Sequence, residues 1–505
     1  MKFIILFFLF ILCSSRLLGQ YVFEKQFYSS TNNSENEFSR ANAVIQTSDS
    51  NFLFVGTGAN TSKMSAIKSD KYGNIIWQYS EDFNDYNIHY FNDIIESNDN
   101  NFIIGATVAD SIVGFSNAGI LKLDKNTGDT IWLKTYGINT SSEYCYSIKK
   151  TTNNGYVFSG VRYSIDSLNV MQSDVYLVKT DSLGNLEWEK TFGGAKYEWG
   201  QSIELTDDGG YMILGITTTF GAGGVDMYCI KTDSVGNLLW EKTFGSYWDD
   251  YGLSICKLQD GNFALVGNTH LNSTKIAANI IKINPEGEII WQKKFVGNYD
   301  AQEFTGVKQS TNGELVLCGN SQSDTVKSSY YGLVKLLNEN DGSVIWERQY
   351  SYIDKDSTDH YFYGMDLCND GGFVFAGMTR NWNQGEGPGN AMWVVKTDCM
   401  GNDSIWGNAA CPIKTDTPDT PILFNLYPNP STGAVTLDYF VPQNSQNQSI
   451  SFYDATGKLV QKVDFTGEGQ IQLNIDCSGF SNGVYQCVLV SDGEVLQQGK
   501  LVVIK

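Results

Sequence analysis

The chain has 505 residues, of which 18% are charged and 13% aromatic, with 50 glycines, 8 prolines and a formal net charge of −21. That length exceeds one ordinary core and calls for two or more domains. The acidic balance carries no footprint for a phosphate backbone, so no nucleic acid is expected as a partner.

The chain opens with Lys2 and an eleven-residue apolar run, Phe3 to Cys13. This is the pattern of a signal peptide and is too short to span a bilayer. Cleavage after Gly19 and after Ser15 both remain open, and residues 1–19 are assigned to the leader. The residue before Cys13 is Leu12, too large for the usual lipoprotein signal. No later stretch reaches eighteen apolar residues, so no transmembrane segment is expected in the mature chain.

From residue 20 to 411 one unit recurs. An apolar run ends in glycine at Gly56, Gly105, Gly160, Gly215, Gly267, Gly319 and Gly377. A second run closes in lysine at Lys68, Lys122, Lys179, Lys231, Lys282, Lys335 and Lys396. A tryptophan follows a turn at Trp77, Trp132, Trp188, Trp240, Trp291, Trp346 and Trp406. Each unit reads as four short strands joined by turns such as Asp181-Ser-Leu-Gly-Asn185, whose Gly and Asn suit positive φ. No window of twelve residues shows a helical period. A four-stranded unit at this spacing predicts an all-β, seven-bladed propeller. A tandem of separate sandwiches would need a period about twice as long. The tryptophans are expected to pack between blades, and the lysines to flank turns as solvated or snorkelling groups.

Ring closure has its own signal. Tyr21–Phe27, YVFEKQF, matches Glu187–Phe192, EWEKTF, with Phe23 in the tryptophan place. The last repeat, around Trp406, has lost that tail. The N-terminal segment is therefore expected to complete the seventh blade, because an unpaired strand edge is a liability; an eight-bladed ring stays open.

The copy Asp174–Gly194, DVYLVKTDSLGNLEWEKTFGG, resembles the repeat of seven-bladed β-propeller families of bacterial secreted proteins. Lys122–Trp132 is also similar to the tryptophan-docking motif of quinoprotein propellers. These resemblances imply a fold and hardly an activity.

Residues 412–423, PIKTDTPDTPIL, read as a linker. Beyond them, alternating strands predict a small antiparallel β-sandwich over 424–505. This stretch resembles the type A C-terminal sorting domain of the type IX secretion system of Bacteroidetes. The matching pieces are Tyr427-Pro428-Asn429-Pro430, Phe452-Tyr453-Asp454 with Gly457, Gly483-Val-Tyr485, and Lys500-Leu-Val-Val503. The resemblance implies passage through the type IX machinery and a secreted, extracellular or surface-attached product.

Nine cysteines follow the leader, with no CxxC. Cys399 with Cys411, flanking the last tryptophan strand, and Cys477 with Cys487 are the candidate disulfides of an exported chain. No HExxH, GxSxG, P-loop or DxDxDG occurs, and three histidines leave little for metal or general-base chemistry. No catalytic residue, cofactor or metal is therefore assigned.

The expected function is a binding or adhesion propeller with a glycan or protein ligand. A secreted carbohydrate-active enzyme and a purely structural surface protein are the alternatives. The candidate ligand positions precede the first strand of successive repeats: His89, Glu143, Glu198, Asp250 and His360, with Glu303 in the sixth. Each of the first five is followed by an aromatic residue, Tyr90, Tyr144, Trp199, Tyr251 and Tyr361. Such pairs would ring one mouth of the central channel, where aromatics beside carboxylates suit sugars.

Overall fold

The computed structural model describes residues 21–27, 39–57, 64–79, 86–110, 114–138, 140–165, 169–297, 301–322, 329–352, 358–381, 390–403, 425–427, 431–441, 448–454, 458–465, 469–491 and 494–505. The leader, the linker, Trp406, Cys411, Pro428, Asn429, Pro430 and Gly457 lie outside them. The chain divides into two compact units, Met1–Cys411 and Pro412–Lys505.

The burial of each strand follows from its rank in its sheet. In the fourth repeat, the second and third strands, Tyr211–Thr217 and Asp226–Thr232, are buried almost throughout. The fourth strand, Leu238–Phe244, is largely open to solvent. A strand buried on both faces belongs to a sheet packed between two others, which is the situation of a propeller blade. Seven four-stranded antiparallel sheets form, at 40–79, 86–136, 143–192, 198–244, 250–295, 302–350 and 358–397 with 23–27. The protein is thus a seven-bladed β-propeller followed by a second all-β unit.

The closing strand of blade seven is the N-terminal one: Phe23–Phe27 pairs antiparallel with Ala391–Thr397, Phe23 opposite Lys396. Trp240 stands opposite Lys231 in the same way in blade four. Phe23 therefore occupies the seventh tryptophan place, to which the repeat pattern also assigns Trp406.

The core lies between blades rather than within them. Phe52, Phe54 and Ile67 of blade one cluster with Phe23, Val374 and Val394 of blade seven. Each tryptophan of an outer strand lies over the glycine of the next blade's third turn. A Cβ on Gly236 would fall 2.6 Å from the Trp188 ring, and one on Gly287 2.8 Å from Trp240. The indole N–H of Trp291 donates to the Glu339 carbonyl in the following blade at 3.0 Å.

The repeat lysines are not solvated. Lys68, Lys179, Lys282, Lys335 and Lys396 are buried, their stems packed between sheets while the ammonium meets a carboxylate at the rim. In five blades the partner is an aspartate in the turn between the first two strands: Asp49, Asp99, Asp208, Asp260 and Asp370. Blades three and six hold Asn153 and Asn312 there, and the lysine pairs instead with Glu187 or Glu347 on the outer strand. The cation is conserved in place and its counter-charge moves.

The C-terminal unit is two antiparallel sheets. One contains Asn425–Tyr427, Ala434–Val441 and Gly469–Asp476; the other contains Leu459–Phe465, Gln448–Tyr453, Gly483–Ser491 and Glu494–Val503. Val435, Leu437, Ile450, Phe452, Tyr485, Cys487 and Leu501 share its core. Tyr485 is buried and its hydroxyl donates to the Ser481 carbonyl at 2.9 Å. The Asp454 carboxylate accepts from the Lys458 amide at 3.1 Å. Lys500 is exposed opposite Gln486.

Cys399 is disulfide-bonded. Cys477 and Cys487, offered above as a disulfide, are free and buried in the sandwich core, where both sulfurs pack as apolar groups.

Candidate mouth of the central channel

The first strand of every blade faces the axis. Together these strands line a cavity of about 500 Å³. Each first strand carries a register break at the same place, the blade-two strand having a second at His89, and the extra residue at the shared break lines the cavity: Asn42, Asn92, Tyr146, Gln201, Leu253, Thr305 and Tyr363. A β-bulge leaves one residue unpaired and re-aims its side chain, here seven times around one axis. Asn42 donates to the Phe91 carbonyl at 2.7 Å, Asn92 to Cys145 at 2.7 Å, and Thr305 to Phe362 at 2.8 Å. These bonds tie blades one, two and six to the blades that follow them.

Three residues beyond the bulge stand Lys149, Glu204, Lys308 and Asp366. Lys149 pairs with Glu204 at 2.6 Å, and Lys308 pairs with Asp366, each bond crossing to the following blade. Burial resists the charge on Lys149, but Glu204 and Asp93 together hold its ammonium above the ordinary lysine range.

The two ends of the propeller differ. At one end short turns repeat the same backbone bonds, for example the Asn154 and Gly209 amides to the Thr151 and Thr206 carbonyls, with φ of 67° and 81°. At the other end lie the starts of the first strands and the irregular connections between blades. Binding residues favour such loops on a rigid scaffold.

At that irregular mouth the acidic positions read from the sequence are wholly buried. Glu198 accepts from the Gly194 amide at 2.8 Å, the Thr217 hydroxyl at 2.8 Å and the Thr219 amide at 3.1 Å. Asp250 accepts from the Ser246 amide at 2.7 Å. Glu143 takes the Ser141 hydroxyl and the Arg162 guanidinium, the latter at 3.1 Å. His360 is 2% exposed and lies edge-on against Trp393 at 5.3 Å. Burial lowers its pKa to about 4, so it is neutral. These groups cap loops and fill space. His89 lies at a register break in its strand, and its side chain is outside the description. In blade six the equivalent place belongs to Gln302, opposite Ser321 as Asp250 is opposite Thr269, and not to Glu303.

The neighbouring position is the one that faces outward. Arg40, Tyr90, Tyr144, Trp199, Tyr251, Glu303 and Tyr361 occupy it in blades one to seven, and all are partly or fully exposed. Two tyrosine ladders descend from it into the channel. Tyr361 stacks on Tyr363 at 6.2 Å and on Tyr330 at 5.3 Å; Tyr144 stacks on Tyr146 at 6.3 Å. Tyr251 packs on His270 at 6.0 Å. Burial pushes the pKa of Glu303 up. Strand alternation explains the exchange: successive residues point to opposite sides, so acid and aromatic could not both face the mouth. The sequence marked the pair, and its register decides which member is exposed.

Fold and sequence together define a β-propeller protein with a C-terminal export signal. Residues 425–505 match the family described as the secretion system C-terminal sorting domain. The protein is accordingly a secreted or surface-attached product whose sorting domain addresses the type IX secretion machinery. Among solved structures, the propeller is similar to a Dos1 propeller, with 9% identity over 75% of this chain and 95% of that one, at a TM-score of 0.41. It is also similar to Sqt1 from Chaetomium thermophilum, with 10% identity over 74% and 100%, TM-score 0.40. A third is the GH93 α-L-arabinofuranosidase of Fusarium graminearum, with 10% identity over 75% and 97%, TM-score 0.42. No curated protein matches the chain significantly.

Proposed function

We propose that this protein is an exported binding propeller, delivered by an N-terminal leader and the C-terminal sorting domain, whose ligand docks at the aromatic mouth of the channel. One observation carries this reading: at seven equivalent positions the exposed side chains are five aromatics, one arginine and one glutamate. Flat aromatic faces beside hydrogen-bonding groups in a concave site suit glycans. The residues just before them are spent on holding loops, which keeps the exposed set on a rigid frame.

The test is a glycan array probed with the full chain and with a Tyr144→Ala, Trp199→Ala, Tyr251→Ala triple variant. The variant should remain folded, with a modest drop in melting temperature, and lose binding. Undiminished binding by the folded variant would place the ligand elsewhere.

A further inference from the structure

We propose that the ligand is a linear, uncharged glycan several sugars long, whose chain runs from the mouth out over the loop 218–224, between Tyr197 on one flank and Tyr247 with Trp248 on the other. The inference rests on the mouth being the binding site and adds the length and charge class of what it takes.

Three connections meet at the irregular end. Residues 193–197 join blade three to blade four, 218–225 join the second and third strands of blade four, and 245–249 join blade four to blade five. They touch closely. A Cβ on Gly194 would fall 2.3 Å from the Thr219 side chain, and one on Gly223 would fall 2.3 Å from the Tyr247 carbonyl oxygen. Phe220 packs on Tyr228 at 5.8 Å. Beyond it Gly221, Ala222, Gly223 and Gly224 are exposed, a floor almost without side chains.

Aromatic rings stand on both sides of that floor. Tyr197 is 40% exposed, Tyr247 77% and Trp248 40%, the last two meeting edge to face at 5.6 Å. Apolar groups gathered in the open mark an interaction site. The backbone beneath them is tied down. The Tyr197 amide donates to the Thr218 hydroxyl at 3.0 Å, and its carbonyl accepts from the Thr218 amide at 2.9 Å. Ser246 gives its amide and its hydroxyl to Asp250. The Asp249 carboxylate takes the Val225 amide at 3.0 Å, and its carbonyl takes the His270 amide at 2.8 Å. Groups placed before binding cost less to order when a ligand arrives.

The strip is continuous with the mouth. Ser173 joins them: its backbone bridges Tyr197, and its hydroxyl accepts from the Trp199 indole at 3.1 Å. On the other flank Tyr251 of the mouth follows Trp248 by three residues.

Area and charge select the occupant. At about 150–250 Å² per ring, the three exposed rings offer about 300 Å², well short of the roughly 800 Å² that each partner buries in a standard protein interface. A narrow chain of flat rings fits such a strip better than a protein surface does. The carboxylates nearby are spent inward: Glu198, Asp226 and Asp250 are buried and hold loop amides. Of the charged side chains on the three connections, Lys196 is exposed and Asp249 half-buried. No arginine stands there to pair with an acidic sugar, and the chain's net charge of −21 opposes a polyanion.

Calorimetric titration of the full chain with the disaccharides and hexasaccharides of the cello-, xylo-, manno- and laminari- series tests the strip. In at least one series the hexamer should bind at least about tenfold more tightly than the dimer, about 1.4 kcal/mol, and added salt should leave both unchanged. Tyr197→Ala, and Tyr247→Ala combined with Trp248→Ala, should each bring that ratio toward one while the dimer's affinity holds, which also reports an intact fold. Trp199→Ala should weaken dimer and hexamer alike. Equal binding of dimer and hexamer, both weakened by Trp199→Ala, overturns the strip and leaves the mouth as a site for a short glycan. A length preference that the strip variants leave intact overturns it too. So does binding of oligogalacturonate in place of every neutral series, or of a protein that loses affinity with Tyr247→Ala while no glycan binds. Glycan binding that ignores Trp199 as well as the three rings fails the mouth along with the strip.

Discussion

A Cβ on Gly73 would lie 2.9 Å from Cε2 of Phe23, so the N-terminal strand seals the ring by laying one phenyl ring over one glycine. Gly73 has φ of 76°, a conformation side chains rarely adopt, and it belongs to blade one, whereas Phe23 completes blade seven. Closure of the propeller thus depends on a contact between residues 50 positions apart that belong to its two end blades. Phe23→Ala should cost about 3 kcal/mol, the usual loss for a buried aromatic, read by denaturant unfolding. The conservative exchange Phe23→Trp, which restores the repeat's own residue, should cost far less. Equal unfolding midpoints for wild type and Phe23→Ala would show that the ring closes by other means.

The most secluded of the repeat ion pairs is Lys396 with Asp370, at 2.9 Å and with side chains 1% and 9% exposed. Removing one partner strands the other: Asp370→Ala should destabilise by about 3 kcal/mol. Lys396→Met combined with Asp370→Leu should recover most of the loss, because burying two apolar groups can replace a buried pair. A double variant no more stable than Asp370→Ala would mean that the pair specifies the turn rather than merely balancing its own burial.

Repeat number, blade composition and the closing strand were legible in the sequence because each is written seven times, or once as a displaced copy. The state of the lysines was legible only as a choice between solvated and snorkelling groups. Their place at the end of an apolar run looks like an edge, and their counter-charges lie either some twenty residues upstream or eight to twelve downstream. The mouth was half legible: Glu198-Trp199 and its equivalents were found as pairs, and the choice between their members depends on the register break that follows. Glu303 was misplaced for the same reason, since one deleted residue shifts it into the aromatic position. Arg40 escaped notice because a lone arginine carries no periodic signal.

Glu24 on the closing strand accepts from the Trp393 indole at 2.8 Å, and burial pushes its pKa from the ordinary 4.5 up to about 7. A raised carboxyl means that the folded state holds the proton more tightly than the unfolded one. Its contribution to stability is complete below about pH 4.5 and is lost as pH rises toward 7. Glu24→Gln keeps an acceptor for the indole and cannot ionise. Between pH 5 and pH 8 the wild type should therefore lose more stability than Glu24→Gln, measured by denaturant midpoints. Parallel curves for the two proteins would remove Glu24 from the account.

The two compact units predict a separation of roles. A chain ending at residue 424 should fold its propeller with an unchanged melting transition and accumulate inside the outer membrane, because the matched sorting domain spans 425–505. Cell fractionation with antibody against the propeller checks it. Full-level appearance of the shortened chain outside the cell would show that export does not depend on that domain.

Glu198 and Trp199 are adjacent in sequence and should answer to different assays. The Glu198 carboxylate is wholly buried and takes two loop amides, from Gly194 and Thr219, and one hydroxyl from Thr217. Glu198→Ala leaves those donors unpaired. The expected loss is about 2–3 kcal/mol of stability, from the cost of unsatisfied buried donors, with ligand affinity in the remaining folded protein little changed. Trp199 is partly exposed, and its indole N–H donates to the Ser173 hydroxyl at 3.1 Å, which fixes the ring at the mouth. Trp199→Ala should cost less stability than Glu198→Ala and weaken glycan binding by about tenfold, the scale of one lost aromatic contact. Unfolding curves and binding isotherms on the two variants decide the assignment. Should Glu198→Ala lose the ligand at full stability, the buried acids rather than the exposed aromatics would be the binding ring.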